Sequence, residues 1–292
     1  MMRVLGAEPW QTAEAVLGEG PSWDATTGQL SWVDIPSAAV HVSDAGGRAV
    51  ADFELRAPVS AALPAAGGGW LVALPDRLAR LGVNGNLSDV APLEPDLPGN
   101  RTNDAKCDPA GRAWVGTMDA GEKLATGSLY RLGPGPWVSR VLTGLGIANG
   151  MGWSPDNRTM YFIDTVTHRI DAHPFDLASG SIGEPRAVVH IDSADGHPDG
   201  MCTDDEGSLW VALFGGGCVR RYAPDGRLDT VVQLPVTYPT SCCFGGPYRD
   251  RLFITTACRD LDERGRQDEP LAGSVWVTEP GVTGPAATPW SN

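Results

Sequence analysis

Short apolar runs alternate with polar turns along the whole chain, and one arrangement of them recurs. In residues 197–211, HPDGMCTDDEGSLWV, a polar pair precedes a short apolar run, an acidic turn and a strand that opens on an aromatic residue. An EF-hand loop needs oxygen ligands at alternate positions, a central Gly and a final Glu. Residues 204–207 are instead three consecutive acids followed by Gly, so we interpret them as a turn between two strands.

The same arrangement occurs in residues 17–35, 100–118, 148–165 and 240–257, with a weaker copy in residues 57–74. The aromatic residues that open the strand in the six copies are Trp32, Trp70, Trp114, Tyr161, Trp210 and Phe253. They are 38, 44, 47, 49 and 43 residues apart. Periods of about 40–50 residues with several short strands are typical of propeller blades.

The repeat therefore predicts an all-β fold, a six-bladed β-propeller with four antiparallel strands in each blade around a central channel. We expect residues 1–292 to form this one domain. A pair of β-sandwiches gives no reason for a repeated phrase at this spacing, and the coil of a β-helix is far shorter. Residues 10–16 precede the first full copy and residues 273–280 end the last. We expect these two segments to join one blade, because closing the ring removes an exposed strand edge.

Composition narrows the partners of such a protein. The net charge of −14 argues against nucleic acid or an anionic membrane, because either would repel the chain. The sequence has no apolar run near the length of a membrane span, and its first 20 residues lack the basic start and apolar stretch of a signal peptide. We therefore expect a cytoplasmic protein that is a monomer or a weak homodimer.

A polar residue lies 11 to 13 positions before the aromatic marker in five copies, and these residues are Glu19, Asn103, Asn149, Asp199 and Ser241. Equivalent positions in a closed propeller lie at one distance from its axis, so we expect them to converge at one mouth of the channel. Two carboxylates placed together repel each other, and a divalent cation removes that cost. An all-oxygen set selects a hard ion such as Ca²⁺, Mg²⁺ or Mn²⁺. Taken singly, each residue is also an ordinary turn former.

These phrases, in this order, resemble the senescence marker protein / gluconolactonase / regucalcin family. The matching stretches include LGEGPSWD, NRTNDAKCDPAGRAWVGTM, ANGMGWSPD, PDGMCTDDEGSLWVA and TSCCFGG, and they span roughly residues 16 to 275. The resemblance implies a six-bladed propeller with one divalent metal ion held by Glu19, Asn149 and Asp199. Calcium is the first candidate, with Mg²⁺, Mn²⁺, Zn²⁺ and Fe²⁺ as alternatives.

The resemblance also implies substrate-binding roles for Arg101 and Asn103 of NRTND and, through a looser alignment, for Glu122. The alternative interpretation makes Arg101 a solvated loop cation and Glu122 a surface charge. Members of the family hydrolyse lactones, chiefly sugar lactones. In such a reaction the metal ion polarises the lactone carbonyl, and Asp199 serves as the general base that takes a proton from the attacking water.

Two other functional classes remain open at the level of sequence. A propeller that hydrolyses organophosphates, of the diisopropyl fluorophosphatase type, would keep the metal and lack the sugar-binding Arg and Asn. A calcium-binding protein without enzymatic activity would bind the ion and turn over no lactone.

Overall fold

The repeated segments fold into six antiparallel sheets arranged as the blades of a propeller, which confirms the predicted fold. The structure, a computed structural model, describes residues 2–133, 135 and 137–291. The polar repeat position lies on the innermost strand in five blades and just before it in blade 2, and the aromatic marker lies on the second strand of every blade. Neighbouring innermost strands pack against one another around the axis.

The first strands and blades 1 to 3 have the following bounds. Two N-terminal strands, β1 (Arg3–Gly6) and β2 (Glu8–Gln11), precede the first blade. Blade 1 consists of β3 (Gly18–Asp24), β4 (Gln29–Asp34), β5 (Ala39–Asp44) and β6 (Ala49–Glu54). Blade 2 consists of β7 (Ala61–Pro64), β8 (Trp70–Leu74), β9 (Arg77–Leu81) and β10 (Leu87–Pro92). Blade 3 consists of β11 (Asn100–Cys107), β12 (Ala113–Asp119), β13 (Gly127–Leu132) and β14 (Val138–Leu145).

Blades 4 to 6 follow the same plan. Blade 4 consists of β15 (Ala148–Trp153), β16 (Thr159–Asp164) and β17 (Arg169–Asp176), with β18 (Ser181–Ile182) and β19 (Arg186–His190) both pairing with β17. Blade 5 consists of β20 (His197–Thr203), β21 (Leu209–Phe214), β22 (Cys218–Tyr222) and β23 (Leu228–Gln233). Blade 6 consists of β24 (Pro239–Gly245), β25 (Arg251–Thr256) and β26 (Val275–Thr278). A short helix, α1 (Glu263–Asp268), lies between β25 and β26, and no helix in the described residues has the length and apolar character of a membrane span.

The N-terminal strands close the ring. Strand β2 pairs antiparallel with β26, with Glu8 opposite Val277, and so completes blade 6. The closure prediction is confirmed, although the pairing strand is residues 8–11 and residues 12–16 continue alongside blade 6 without strand pairing. There Ala15 N–H donates to the Gly273 carbonyl oxygen at 3.3 Å. Strand β1 adds an unexpected fifth strand to blade 5, where it pairs parallel with β23.

The aromatic markers fill the cores between sheets. Trp32, Trp114, Trp210 and Phe253 are among the largest fully buried side chains. The indole N–H of Trp210 donates to Oδ2 of Asp204 at 3.0 Å, and the carboxylate of Asp204 also accepts backbone N–H groups of its own turn. The acidic turn after β20 is therefore a structural turn, because its buried first acid, Asp204, accepts hydrogen bonds both from the turn and from the core tryptophan.

The last part of the chain crosses the end of the propeller at which the innermost strands finish. Thr283 accepts a hydrogen bond from Asp205 N–H at 2.8 Å, Trp290 N–H donates to Pro64 at 2.8 Å, and Ser291 N–H donates to Gly111 at 3.0 Å. Residues 285–288 line a cavity of about 290 Å³ on the channel axis. The polar repeat positions lie at the opposite end, near the start of the innermost strands, and that end is the open mouth.

Candidate metal centre and active site

Local irregularities in the innermost strands present the candidate side chains to the axis. Strands β11, β15 and β20 each contain a β-bulge, at which two consecutive residues lie opposite one residue of the next strand. The two bulged residues are Asn103 and Asp104 in β11, Asn149 and Gly150 in β15, and Asp199 and Gly200 in β20. In β3 the pairing register with the next strand shifts directly after Glu19. Such β-bulges leave residues outside the ladder and redirect their side chains. The bulges explain why Asn103, Asn149 and Asp199 leave the ladder and point toward one place.

Two glycines that follow candidate ligands permit neighbouring blades to approach closely. A Cβ atom on Gly150 would lie 2.6 Å from the carbonyl oxygen of Asp199, and one on Gly200 would lie 2.8 Å from Cα of Ser241. Real Cβ contacts are longer than this, so any larger residue would push the innermost strands apart. The Asn-Gly and Asp-Gly pairs of the sequence are therefore packing requirements of the ring and not simple turns.

The carboxyl groups of Glu19 and Asp199 interact strongly at the mouth. Burial and the negative charges of Asp199 and Asp104 raise the pKa of Glu19 well above its usual range. Burial raises the pKa of Asp199 to about 8, with a further contribution from the charge of Asp104, while hydrogen bonds from Asn149 and the Gly200 backbone oppose the shift. Without a cation, the doubly ionised state of this pair is costly.

Asn149 joins Asp199 to the neighbouring blade. Its Nδ2 donates to Oδ1 of Asp199 at 2.5 Å and to Oγ1 of Thr165 at 3.1 Å, and Thr165 in turn donates to the Pro198 carbonyl oxygen at 2.8 Å. Asn149 and Asp199 are both more than nine-tenths buried. Both of these hydrogen bonds leave from the amide nitrogen, so the amide oxygen is the atom oriented for a ligand role.

The donor set fits a hard divalent cation. It combines two carboxylates, whose mutual repulsion a cation would relieve, with one amide, and all three supply oxygen. Within the described parts of the chain, no group of three or more His, Cys, Asp and Glu side chains is arranged to hold a metal ion. The set around Glu19 and Asp199 contains only two residues of those types, because its third member is Asn149.

Arg101 and Asn103 flank this centre from blade 3. The guanidinium of Arg101 donates from Nη1 to Oδ1 of Asn103 at 3.0 Å, and Nδ2 of Asn103 donates to the Ala148 carbonyl oxygen at 3.0 Å. Burial lowers the pKa of Arg101, while the charges of Glu122, Glu19 and Asp199 favour its charged form. Arg101 is therefore a half-buried cation directed at the acidic centre, which distinguishes it from a solvated loop residue.

Glu122 lies at the rim of the mouth, in the connection between β12 and β13, and it is more exposed than the other candidates. Its carboxylate contacts the guanidinium of Arg259 at 3.3 Å.

Two residues near the site were missed by the sequence interpretation. Arg259 lies in the connection between β25 and β26, which has no counterpart in the repeat, so no positional signal identified it. Asp104 shares a bulge with Asn103, but simple strand alternation would have directed the two side chains to opposite faces.

The two remaining copies contribute hydroxyl groups at or near the repeat position. Ser241 in blade 6 is buried against Gly200, and Ser60, just before β7, donates to Oγ1 of Thr102 at 2.9 Å. These serines pack between neighbouring strands, so the carboxylates and amides come from blades 1, 3, 4 and 5.

Known proteins are similar to this chain over nearly its whole length. Residues 17–258 match the family described as SMP-30/Gluconolactonase/LRE-like region. Regucalcin from Gallus gallus is 38% identical over 276 residues, which are 92% of this chain and 92% of that protein. The structure of a calcium-binding protein, regucalcin, from Agrobacterium tumefaciens superimposes with a TM-score of 0.95 at 30% identity and covers 100% of both chains. A luciferin-regenerating enzyme gives a TM-score of 0.89 at 33% identity and covers 96% of both chains. The chain therefore belongs to the SMP-30/gluconolactonase/LRE-like family.

Proposed function

We propose that the protein is a metal-dependent lactonase that hydrolyses a sugar lactone to the corresponding sugar acid. The observation that carries the proposal is the convergence of Glu19, Asn149 and Asp199 at one mouth of the channel, with Arg101 and Asn103 beside them. Each of these residues comes from the start of an innermost strand, so a rigid scaffold holds the whole set. Family membership supports the same reaction class.

Glu19, Asn149 and Asp199 would hold one divalent ion, with Ca²⁺ as the first candidate. When bound, the ion would polarise the lactone carbonyl and offset the negative charge that develops on its oxygen. Asp199 accepts the proton of the attacking water, because its carboxylate is buried at the centre and the hydrogen bond from Asn149 fixes its orientation. General-base assistance of this kind is worth about 10²–10⁴-fold in rate.

Arg101, Asn103 and Glu122 bind the sugar hydroxyls and so orient the ring over the centre. Arg101 donates a hydrogen bond to Asn103, so the guanidinium of Arg101 and the side-chain amide of Asn103 are held in position before the substrate binds. Such positioning lowers the entropic cost of reaching the transition state. We also propose that the protein acts in the cytoplasm as a monomer or weak homodimer, without nucleic-acid or membrane partners.

A hydrolysis screen over pentono- and hexono-lactones tests the proposal. Purified protein would be stripped with EDTA, reloaded with Ca²⁺, Mg²⁺, Mn²⁺, Zn²⁺ or Fe²⁺, and assayed for acid release after correction for spontaneous ring opening. We expect turnover of at least one lactone with metal and its loss after stripping. If no sugar lactone is hydrolysed with any metal, the proposal is wrong.

The second candidate is a calcium-binding protein without enzymatic activity, which the Agrobacterium regucalcin favours because that relative is described as a calcium-binding protein. Tight calcium binding without lactone turnover would support it. An organophosphate hydrolase would instead turn over diisopropyl fluorophosphate in the same metal-supplemented assay. The half-buried Arg101 and its hydrogen bond to Asn103 favour the sugar lactone over this third class.

A further inference from the structure

An ion pair spans the channel mouth between opposite blades. Glu122 belongs to blade 3 and Arg259 to blade 6, and these blades lie across the axis from each other in the ring of six. Nevertheless, Nη1 and Nη2 of Arg259 both lie 3.3 Å from Oε1 of Glu122. A contact between opposite blades at this end of the propeller must cross the axis, so the pair lies over the candidate metal centre.

The backbone fixes both ends of this pair. Glu122 adopts a left-handed conformation with φ of 57°, in a turn that the Asp119 carboxylate holds by accepting the N–H groups of Lys123 and Leu124 at 2.9 and 3.1 Å. Next to Arg259, Cys258 N–H lies 3.2 Å from the Val16 carbonyl oxygen and so ties the loop to the chain that enters blade 1.

The side chains themselves remain accessible. The side chain of Arg259 is 33% exposed and that of Glu122 is 39% exposed. An ion pair with this exposure contributes little to stability, about 0–1 kcal/mol, so a ligand can replace it at low cost. Fixed backbones with exchangeable side chains are suited to binding a ligand that enters between them.

We propose that Arg259 is a substrate-binding residue that, together with Glu122, binds hydroxyl groups of the lactone on the side away from the metal centre. A hydroxyl both donates and accepts hydrogen bonds. The guanidinium of Arg259 donates to its oxygen, and the carboxylate of Glu122 accepts its proton. The pair therefore selects polyhydroxylated lactones, and this inference rests on the proposed lactonase function.

The charges around Arg259 favour a neutral sugar over a phosphorylated or carboxylated one. Arg259 contacts the carboxylate of Asp260 at 3.3 Å as well as that of Glu122, so its positive charge is already balanced. The positive charge of Arg259 also acts on Asp199, since it opposes the rise of the Asp199 pKa, and this places Arg259 within electrostatic range of the reacting centre.

Kinetics with the best lactone of the screen test the proposal. Arg259→Gln should raise KM at least tenfold and change kcat less than threefold, because the hydroxyl contacts lie away from the reacting carbonyl. Arg259→Lys keeps the charge and loses the planar pair of donors, so KM should stay high. Arg251→Gln is the matched control: Arg251 is a similarly exposed arginine of blade 6 that pairs with Glu279 at the opposite end of the propeller, and its variant should match wild type.

A double variant and a binding measurement complete the experiment. In Glu122→Gln/Arg259→Gln, the rise in KM should be smaller than the product of the two single effects, because both residues act on the same hydroxyls. Binding of D-glucitol to the calcium-loaded protein, measured by calorimetry, should weaken at least fivefold in Arg259→Gln. Glucitol binding requires no lactone hydrolysis, so it tests the role of Arg259 even if the protein is not a lactonase. The wild-type hydrolysis assay tests the lactonase proposal separately.

The inference about Arg259 is overturned by any of four results. The first three are an unchanged KM and glucitol affinity in Arg259→Gln, full recovery of KM in Arg259→Lys, and a wild-type protein that neither binds glucitol nor hydrolyses a lactone. Full recovery by lysine would indicate that only the charge of Arg259 matters. The fourth is a phosphorylated lactone as the best substrate, because the carboxylates of Glu122 and Asp260 beside Arg259 disfavour a second anion.

Discussion

Asn149 of blade 4 donates a hydrogen bond to the carboxylate of Asp199 in blade 5, across the boundary between two innermost strands. The bond favours the ionised form of Asp199 and opposes the effect of burial on its pKa. It also fixes the carboxylate in one orientation, because Asn149 is itself held by Thr165. The carboxylate of Asp199, the proposed base, is thus held by a residue of the neighbouring blade as well as by the Gly200 backbone of its own strand.

The first prediction concerns the base. Asp199→Asn keeps the shape and one oxygen of the side chain while it removes the proton acceptor, so kcat should fall by roughly 10²-fold or more and metal affinity should fall less. Arg101→Ala should act mainly through KM. Lactone hydrolysis by both variants at saturating metal measures this. Near wild-type kcat in Asp199→Asn would place the base elsewhere.

The second prediction concerns the metal. Glu19→Gln removes one of the two carboxylates of the proposed metal centre and should weaken calcium binding by at least tenfold, measured by calorimetry on stripped protein. Glu14→Gln, a change of the same kind at an exposed position five residues earlier, should bind like wild type. Equal affinity in the two variants would remove Glu19 from the metal centre.

The third prediction concerns pH. The pKa of Asp199 is raised from its ordinary value of 3.8 to about 8 in the metal-free fold. The folded form therefore binds more protons than the unfolded chain between these values, and this group's contribution to the free energy of unfolding declines as pH rises from about 4 to 8. Calcium should reverse that decline, so it should raise Tm more at pH 8 than at pH 5.

Thermal unfolding with EDTA or calcium at the two pH values measures the difference. In Asp199→Asn the difference should shrink, because the residue that titrates is gone. An equal rise in Tm at both pH values in the wild-type protein would contradict the linkage between calcium and Asp199.

The fourth prediction concerns the close approach of blades 4 and 5. Gly150→Ala places a Cβ atom 2.6 Å from the Asp199 carbonyl oxygen, so the strands must separate and both ligands must move. We expect a loss of about 1–3 kcal/mol in the free energy of unfolding and weaker calcium binding. Gly6→Ala, where an added Cβ meets nothing within 4 Å, is the control for urea denaturation and calorimetry. Unchanged calcium binding in Gly150→Ala would contradict the packing requirement.

The fifth prediction concerns the C-terminal crossing. Trp290 is 1% exposed and packs in the core shared by blades 2 and 3. Trp290→Ala should lower the free energy of unfolding by about 3–5 kcal/mol, whereas Trp137→Ala, at a position 77% exposed, should change it little. Because Trp290 lies away from the mouth, KM and kcat of the folded variant should stay near wild type. A large change in KM would show that the crossing affects the site.

Much of the fold could be predicted from the sequence, because the aromatic markers Trp32, Trp114 and Trp210 recur once per blade and are buried for the same reason each time. The closure by the N-terminal segment followed from the need to cover an edge. The parallel pairing of β1 with β23 could not be predicted, since residues 3–6 have no repeat counterpart and four residues carry little pattern. That residues 1–292 form a single domain remains a prediction.

The candidate site was predictable where it coincides with the repeat and not elsewhere. Asn149 and Asp199 occupy equivalent positions, and the structure brings them into contact. Asp104 could not be predicted as a neighbour of the site, because a bulge interrupts the regular alternation of side chains along β11. Arg259 could not be predicted either, because it lies in the connection between β25 and β26, which has no counterpart in the other five copies of the repeat.

The bulges in the innermost strands also determine how this protein could be redesigned. Each displaced pair lies outside the ladder, so the first residue of the pair can change without altering the backbone pairing on either side, whereas Gly150 and Gly200 must stay small. Strand β7 of blade 2 pairs with β8 without a register shift. Introducing a two-residue bulge after Ser60 would add a fifth inward-facing position, a place to install a new ligand or substrate contact while blades 1, 3, 4 and 5 keep theirs.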